Sequence, residues 1–129
     1  MSSPTIEARL KRKFILMTTD EALTARVREL TPEGWSAVIV TDLDEIGDWH
    51  EILLYRFLLI DLDEVDAFDP LDVIRVLRMQ HQINTPVFCF GGEEDIRDEM
   101  RLARADRFFE REEMLQMLPR FFEQYRWGE

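Results

Sequence analysis

Residues 57–60, Phe57-Leu58-Leu59-Ile60, form an unbroken apolar run that stops at Asp61 and passes into Leu62-Asp63-Glu64. Four apolar residues without polar alternation require a strand covered on both faces, the condition of a parallel sheet flanked by helices. Asp61 then stands at the carboxyl end of that strand, the edge at which ligands and chemistry collect in open α/β sheets. Two readings of it stand side by side: a cap on the following loop or helix, and a functional carboxylate.

The rest of the chain repeats the pattern. Strands are expected at Phe14–Met17, Trp35–Val40, Val87–Phe90 and Arg107–Phe109. Between them lie helical stripes: Leu23, Val27 and Leu30 after a cap at Thr19 or Asp20, then Trp49, Ile52 and Leu53, then Leu71, Ile74 and Leu77 with Arg75 and Arg78 facing outward. A fourth stripe is Ile96, Met100 and Ala103. The last helix, 112–127, carries Leu115, Leu118, Phe122 and Tyr125 on one stripe and Met114, Met117 and Phe121 on another, with a kink expected at Pro119. Five strands alternating with five helices give a single α/β domain of (βα)5 type, residues 14–129, behind a loosely ordered lead-in at residues 1–13.

Charge narrows the function classes. A net charge of −11 disfavours direct binding to nucleic acid or anionic lipid. No apolar run is long enough to span a bilayer and no signal-peptide core precedes Lys13, so a soluble, cytoplasmic protein is expected. Cys89 is the only cysteine and lies in an apolar run, which makes it a buried structural thiol. His50 and His81 stand apart in polar company. The two lysines are Lys11 and Lys13, so chemistry that needs a lysine in the body of the domain is excluded.

Taken in order, Phe14-Ile-Leu-Met-Thr-Thr-Asp20, Phe57-Leu-Leu-Ile-Asp61, Thr85-Pro-Val-Phe-Cys-Phe90 and Ala105-Asp-Arg-Phe-Phe109 resemble the receiver domain of two-component response regulators. The resemblance runs from Phe14 to the last helix. It implies a doubly wound, flavodoxin-like or CheY-like fold with five parallel strands in the order 2-1-3-4-5, and it implies Asp61 as the phosphoacceptor equivalent.

The resemblance also marks departures. A working receiver holds Mg²⁺ with a pair of acids after the first strand, where this chain has Thr18 and Thr19, leaving Asp20 one place further on. The family's hydroxyl after strand four falls at Gly91, its lysine after strand five at Arg111, and the proline next to that lysine at Glu112. Asp61 is thus expected either as a cap, as a partner for Arg111, or as a residual phosphoacceptor. If a cation binds, Asp20, Asp61 and Asp63, with Asp66 nearby, are its candidate ligands; otherwise no metal and no cofactor is expected.

The leading expectation is a non-enzymatic, receiver-like signalling module that works by protein contact without Mg²⁺-dependent aspartyl phosphorylation. No output domain is recognised, so its effect would pass through another molecule: a protein partner, or a second copy paired through Met114, Met117 and Phe121 of the last helix. The alternative is a phosphorylatable receiver using Asp61 and Mg²⁺. A phosphatase-like enzyme built on Asp61-Leu62-Asp63 is remote, because that chemistry requires a downstream lysine. Flavin binding is remote too, since no glycine follows strand one to let backbone amides cradle a phosphate.

Overall fold

The computed structural model describes residues 11–127. Strands β1 (Arg12–Met17), β2 (Trp35–Val40), β3 (Leu58–Asp61), β4 (Val87–Phe90) and β5 (Arg107–Phe109) form one parallel sheet in the order β2-β1-β3-β4-β5. Helices α1 (Glu21–Leu30), α2 (Trp49–Ile52), α3 (Pro70–Arg75), α4 (Glu94–Leu102) and α5 (Arg111–Gln124) alternate with them. This is the (βα)5 alternation expected from the strand pattern and the doubly wound order implied by the resemblance to receiver domains.

Alternation along the strands sorts the core into two layers. Ile15, Met17, Leu58, Ile60, Val87 and Cys89 face α2, α3 and α4, where they meet Ile52, Ile74, Leu77 and Met100. Burial pushes the Cys89 thiol up to about 12, which leaves it an inert part of this layer. The opposite face is aromatic. Phe14, Phe57, Phe88, Phe90 and Phe109 pack under α1 and α5, with Phe14 stacked on Phe57 at 4.9 Å and Phe88 on Phe121 at 4.4 Å.

Met114 and Phe121 are 0 % and 1 % exposed and belong to the aromatic layer, so they present no surface to a partner; Met117 is half-buried at its edge. The two apolar stripes of α5 are one broad face: at 3.6 residues per turn, Met114, Leu115, Met117, Leu118, Phe121, Phe122 and Tyr125 span about 160° of the helix, and the wide phenylalanine ledge covers it. Pairing of two copies through that face therefore loses its basis. Pro119 lies inside this helix, which is assigned as one element from Arg111 to Gln124.

Arg78 points inward rather than outward. Helix α3 continues into a π turn at Val76–Gln80, closed by a hydrogen bond from His81 N to Val76 O at 3.2 Å, and the wider turn brings both Leu77 and Arg78 to the core side. Arg78 is 5 % exposed. It donates to the carbonyls of Ile83 (2.6 Å), Thr85 (3.0 Å) and Arg104 (3.1 Å) and to the Asp106 carboxylate (2.9 Å), whose same oxygen accepts from Val87 N. This cluster fastens the amino ends of β4 and β5.

Strand β1 takes in Arg12 and Lys13, which pair with Trp35 and Ser36 of β2. Of the lead-in expected at residues 1–13, residues 1–10 lie outside the described residues.

Candidate functional site

Three loops meet at the carboxyl edge of β1, β3 and β4, and the first turn of α5 leans over them. Asp61 ends β3 and is 4 % exposed. Its Oδ2 accepts a hydrogen bond from the Thr18 hydroxyl at 2.7 Å, and its Oδ1 accepts from Asp63 N at 2.9 Å and from Arg111 Nη1 at 2.7 Å. The Thr18 hydroxyl in turn accepts from Asp20 N at 3.1 Å. Both oxygens of Asp61 are therefore engaged within the protein, as a buried carboxylate requires.

Arg111 gathers the remaining acids. Its Nη1 also reaches Asp63 Oδ2 at 3.0 Å and its Nη2 reaches Asp20 Oδ2 at 2.5 Å, while the guanidinium lies over the Phe90 ring, 5.2 Å from its centroid. Asp20 also caps α1 by accepting from Leu23 N at 3.0 Å. That amide, and then the Arg111 guanidinium against an opposing desolvation, hold the Asp20 carboxyl below its ordinary value. On Arg111, burial works against the charge, but the carboxylates of Asp61, Asp20 and Asp63 raise its pKa above the usual value for arginine.

Asp63 completes the group. Its Oδ1 accepts from Gly92 N at 2.9 Å, so one side chain links the β3–α3 loop, the β4–α4 turn and α5. Gly91 and Gly92 have φ of +72° and +80°, a region open to glycine. Further out, the Thr19 hydroxyl donates to Glu64, which holds the Glu64 carboxyl below its ordinary value, and Asp66 enters only through its backbone amide, which donates to Glu64 at 2.9 Å.

The candidate residues Thr18, Asp20, Asp61, Asp63, Gly91 and Arg111 thus come together, with Thr19 on the rim. The donor set does not fit an octahedral Mg²⁺ beside Asp61. A hard dication needs several oxygen ligands at about 2.1 Å, whereas the space between Asp20, Asp61 and Asp63 holds a guanidinium, and the 18–19 pair offers hydroxyls. Among the described residues, no cluster of three or more histidine, cysteine or acidic side chains is arranged to hold a metal ion.

Residue types suggested that Asp61 and Arg111 could pair; nothing in the sequence indicated that Arg111 would collect three carboxylates, or that Asp63 would fill the space above Gly91. The Arg78–Asp106 cluster carries no local signal in the sequence either. Its charged pair lies 28 positions apart, Arg78 in the π turn after α3 and Asp106 just ahead of β5, and meets only once the sheet has formed.

No protein-family model and no curated protein sequence matches the chain. Solved structures do. The phosphorylated cyanobacterial phytochrome response regulator RcpA superposes with a TM-score of 0.70 at 15% identity, over 88% of this chain and 93% of its own. A response regulator signal receiver domain from Bermanella marisrubri gives 0.64 at 20% identity, over 84% and 96%. The Vibrio cholerae chemotaxis protein CheY4 gives 0.58 at 15% identity, over 85% and 98%. At these identities the likeness establishes the fold, which is that of response regulator receiver domains. No helix among the described residues is long and apolar enough to cross a membrane.

Proposed function

We propose that the chain is a receiver-like, non-enzymatic signalling module of the cytoplasm that acts by binding a protein partner and does not use Mg²⁺-dependent phosphorylation of Asp61. The observation that carries this reading is the Arg111 Nη1 to Asp61 Oδ1 contact at 2.7 Å. Phosphoryl transfer to a carboxylate needs a free oxygen as nucleophile and mobile cations clamped on the transferring group. Here the oxygens of Asp61 carry three hydrogen bonds, and the positive charge is a planar guanidinium tied at the same time to Asp20 and Asp63. Arginine does not replace lysine at such a position, because its fork fixes the geometry of every carboxylate it touches. Gly91 supports the same reading, since it offers no hydroxyl to report a phosphoryl oxygen.

The test is intact mass spectrometry after incubation of the full chain with acetyl phosphate and Mg²⁺. The mass is expected to stay unchanged. A stoichiometric phosphoryl adduct that disappears in Asp61→Asn would overturn the proposal in favour of a phosphorylatable receiver.

A further inference from the structure

We propose that the cleft between the β3–α3 loop and the start of α4 receives an extended basic segment of a partner protein, anchored by one apolar side chain flanked by arginine or lysine. The inference rests on the reading of the chain as a protein-contact module and supplies the chemistry of the partner.

The cleft has a volume of about 670 Å³ and an apolar floor of Leu62, Phe68, Pro70 and Ile96. Val65 stands on its lip, 81 % exposed. Around this floor the rim carries Asp63, Glu64, Asp69, Glu93 and Asp95, with no basic residue among those that line it. An apolar floor under a rim of one sign selects an occupant that is greasy at its centre and cationic at its edges. Purely ionic ligands leave the floor uncovered, and acidic ones are repelled.

Two further observations separate a protein segment from a small cation. A second acidic hollow, lined by Asp42, Asp44 and Asp72, shares Phe68 and Asp69 with the first, so the negative track continues across the loop beyond the reach of a small molecule. The Glu93 and Asp95 side chains are exposed, and among the described residues neither carboxylate takes part in an ion pair or hydrogen bond. The wall is fixed in advance, because Asp63 is fastened to Gly92 N and to Arg111. A preformed cleft spares an incoming segment the cost of ordering it.

The experiment uses the full chain and a fluorescein-labelled probe, Gly-Arg-Arg-Leu-Arg-Arg-Gly, against the same peptide with serine in place of leucine. Anisotropy titrations are expected to give the leucine peptide an affinity about ten-fold higher, the equivalent of burying one such side chain. The double variant Glu93→Gln/Asp95→Asn, which alters exposed side chains only, should weaken it about ten-fold. Amide shift changes should centre on residues 62–70 and 92–96. Equal affinity for the two peptides, indifference to the double variant, shift changes centred elsewhere, or no binding at millimolar peptide would each overturn the proposal. The acetyl phosphate reaction on the same sample separates the two readings: an adduct on Asp61 with leucine-selective binding intact overturns the unphosphorylated module and leaves the cleft standing.

Discussion

The carboxylate of Asp63 occupies the space that a side chain at residue 91 would need: a Cβ built on Gly91 would lie 2.2 Å from Asp63 Oδ2. The two positions are therefore complementary, and a hydroxyl residue cannot be accommodated at position 91 while Asp63 keeps its bonds to Gly92 and Arg111. Gly91→Thr is expected to cost about 3 kcal/mol, combining the left-handed backbone with displacement of Asp63. In an Asp63→Ala background the same change should cost only about 1–2 kcal/mol, the backbone part alone. Urea denaturation of the four proteins in this cycle measures it; equal costs in both backgrounds would refute the complementarity.

Arg111→Met leaves three carboxylates facing one another without their cation. Stranding a buried charge costs about 3–5 kcal/mol, and the partial exposure of Arg111 places the expected loss near the lower end, at about 3 kcal/mol. Asp61→Asn in the same chain should recover about 1 kcal/mol or more, a coupling readable from denaturation midpoints. Arg111→Lys should recover only part of the loss, because one ammonium cannot fork between Asp20 on one side and Asp61 with Asp63 on the other.

Acid sensitivity follows from Asp20, whose folded carboxyl lies below its ordinary value through the Leu23 amide and then Arg111. Below about pH 4 the unfolded chain takes up a proton there that the folded chain resists. The stabilisation is thus complete above the unfolded pKa and is lost as pH falls toward the folded one. Glu64, lowered by Thr19, and Glu112, lowered by Arg26, act in the same direction. The urea midpoint should be flat between about pH 5 and 7 and fall from about pH 4 downward. Asp20→Asn should make that fall shallower.

Arg78→Met removes the donors that serve three carbonyls and Asp106. A loss of about 3 kcal/mol is expected, since buried acceptors and a carboxylate are left without partners. Hydrogen exchange should show the effect first at Val87 and Asp106, whose amides hold β4 and β5 together at this end.

The alternation of five strands with five helices is legible in the sequence because apolar runs and helical stripes are local signals, each complete within a few residues, whereas the strand order came from the resemblance to receiver domains. Phe57–Ile60 predicted a doubly covered strand, and Leu58–Asp61 is one, buried throughout. The last helix misled because two narrow stripes and one broad face look alike until the partner surface is known; four phenylalanines on β1, β4 and β5, with Phe57 just ahead of β3, make that surface. Arg78 misled for a related reason. A helical wheel assumes 3.6 residues per turn, and the wider π turn at Val76–Gln80 shifts the face on which its own residues, Arg78 among them, are presented. At the candidate site, Asp61 was visible as an acid ending an apolar run, whereas the convergence on Arg111 joins residues 50 and 91 positions apart and exists only once the sheet has formed.

A counter-charge that belongs to the polypeptide can be neither chelated nor diluted away. The Arg111 guanidinium is delivered with every newly synthesised copy, so treatment with EDTA should leave the melting temperature of the purified domain where it was. Within the proposed mode of action, the strength of the signal would then follow how many molecules the cell makes and how fast it removes them.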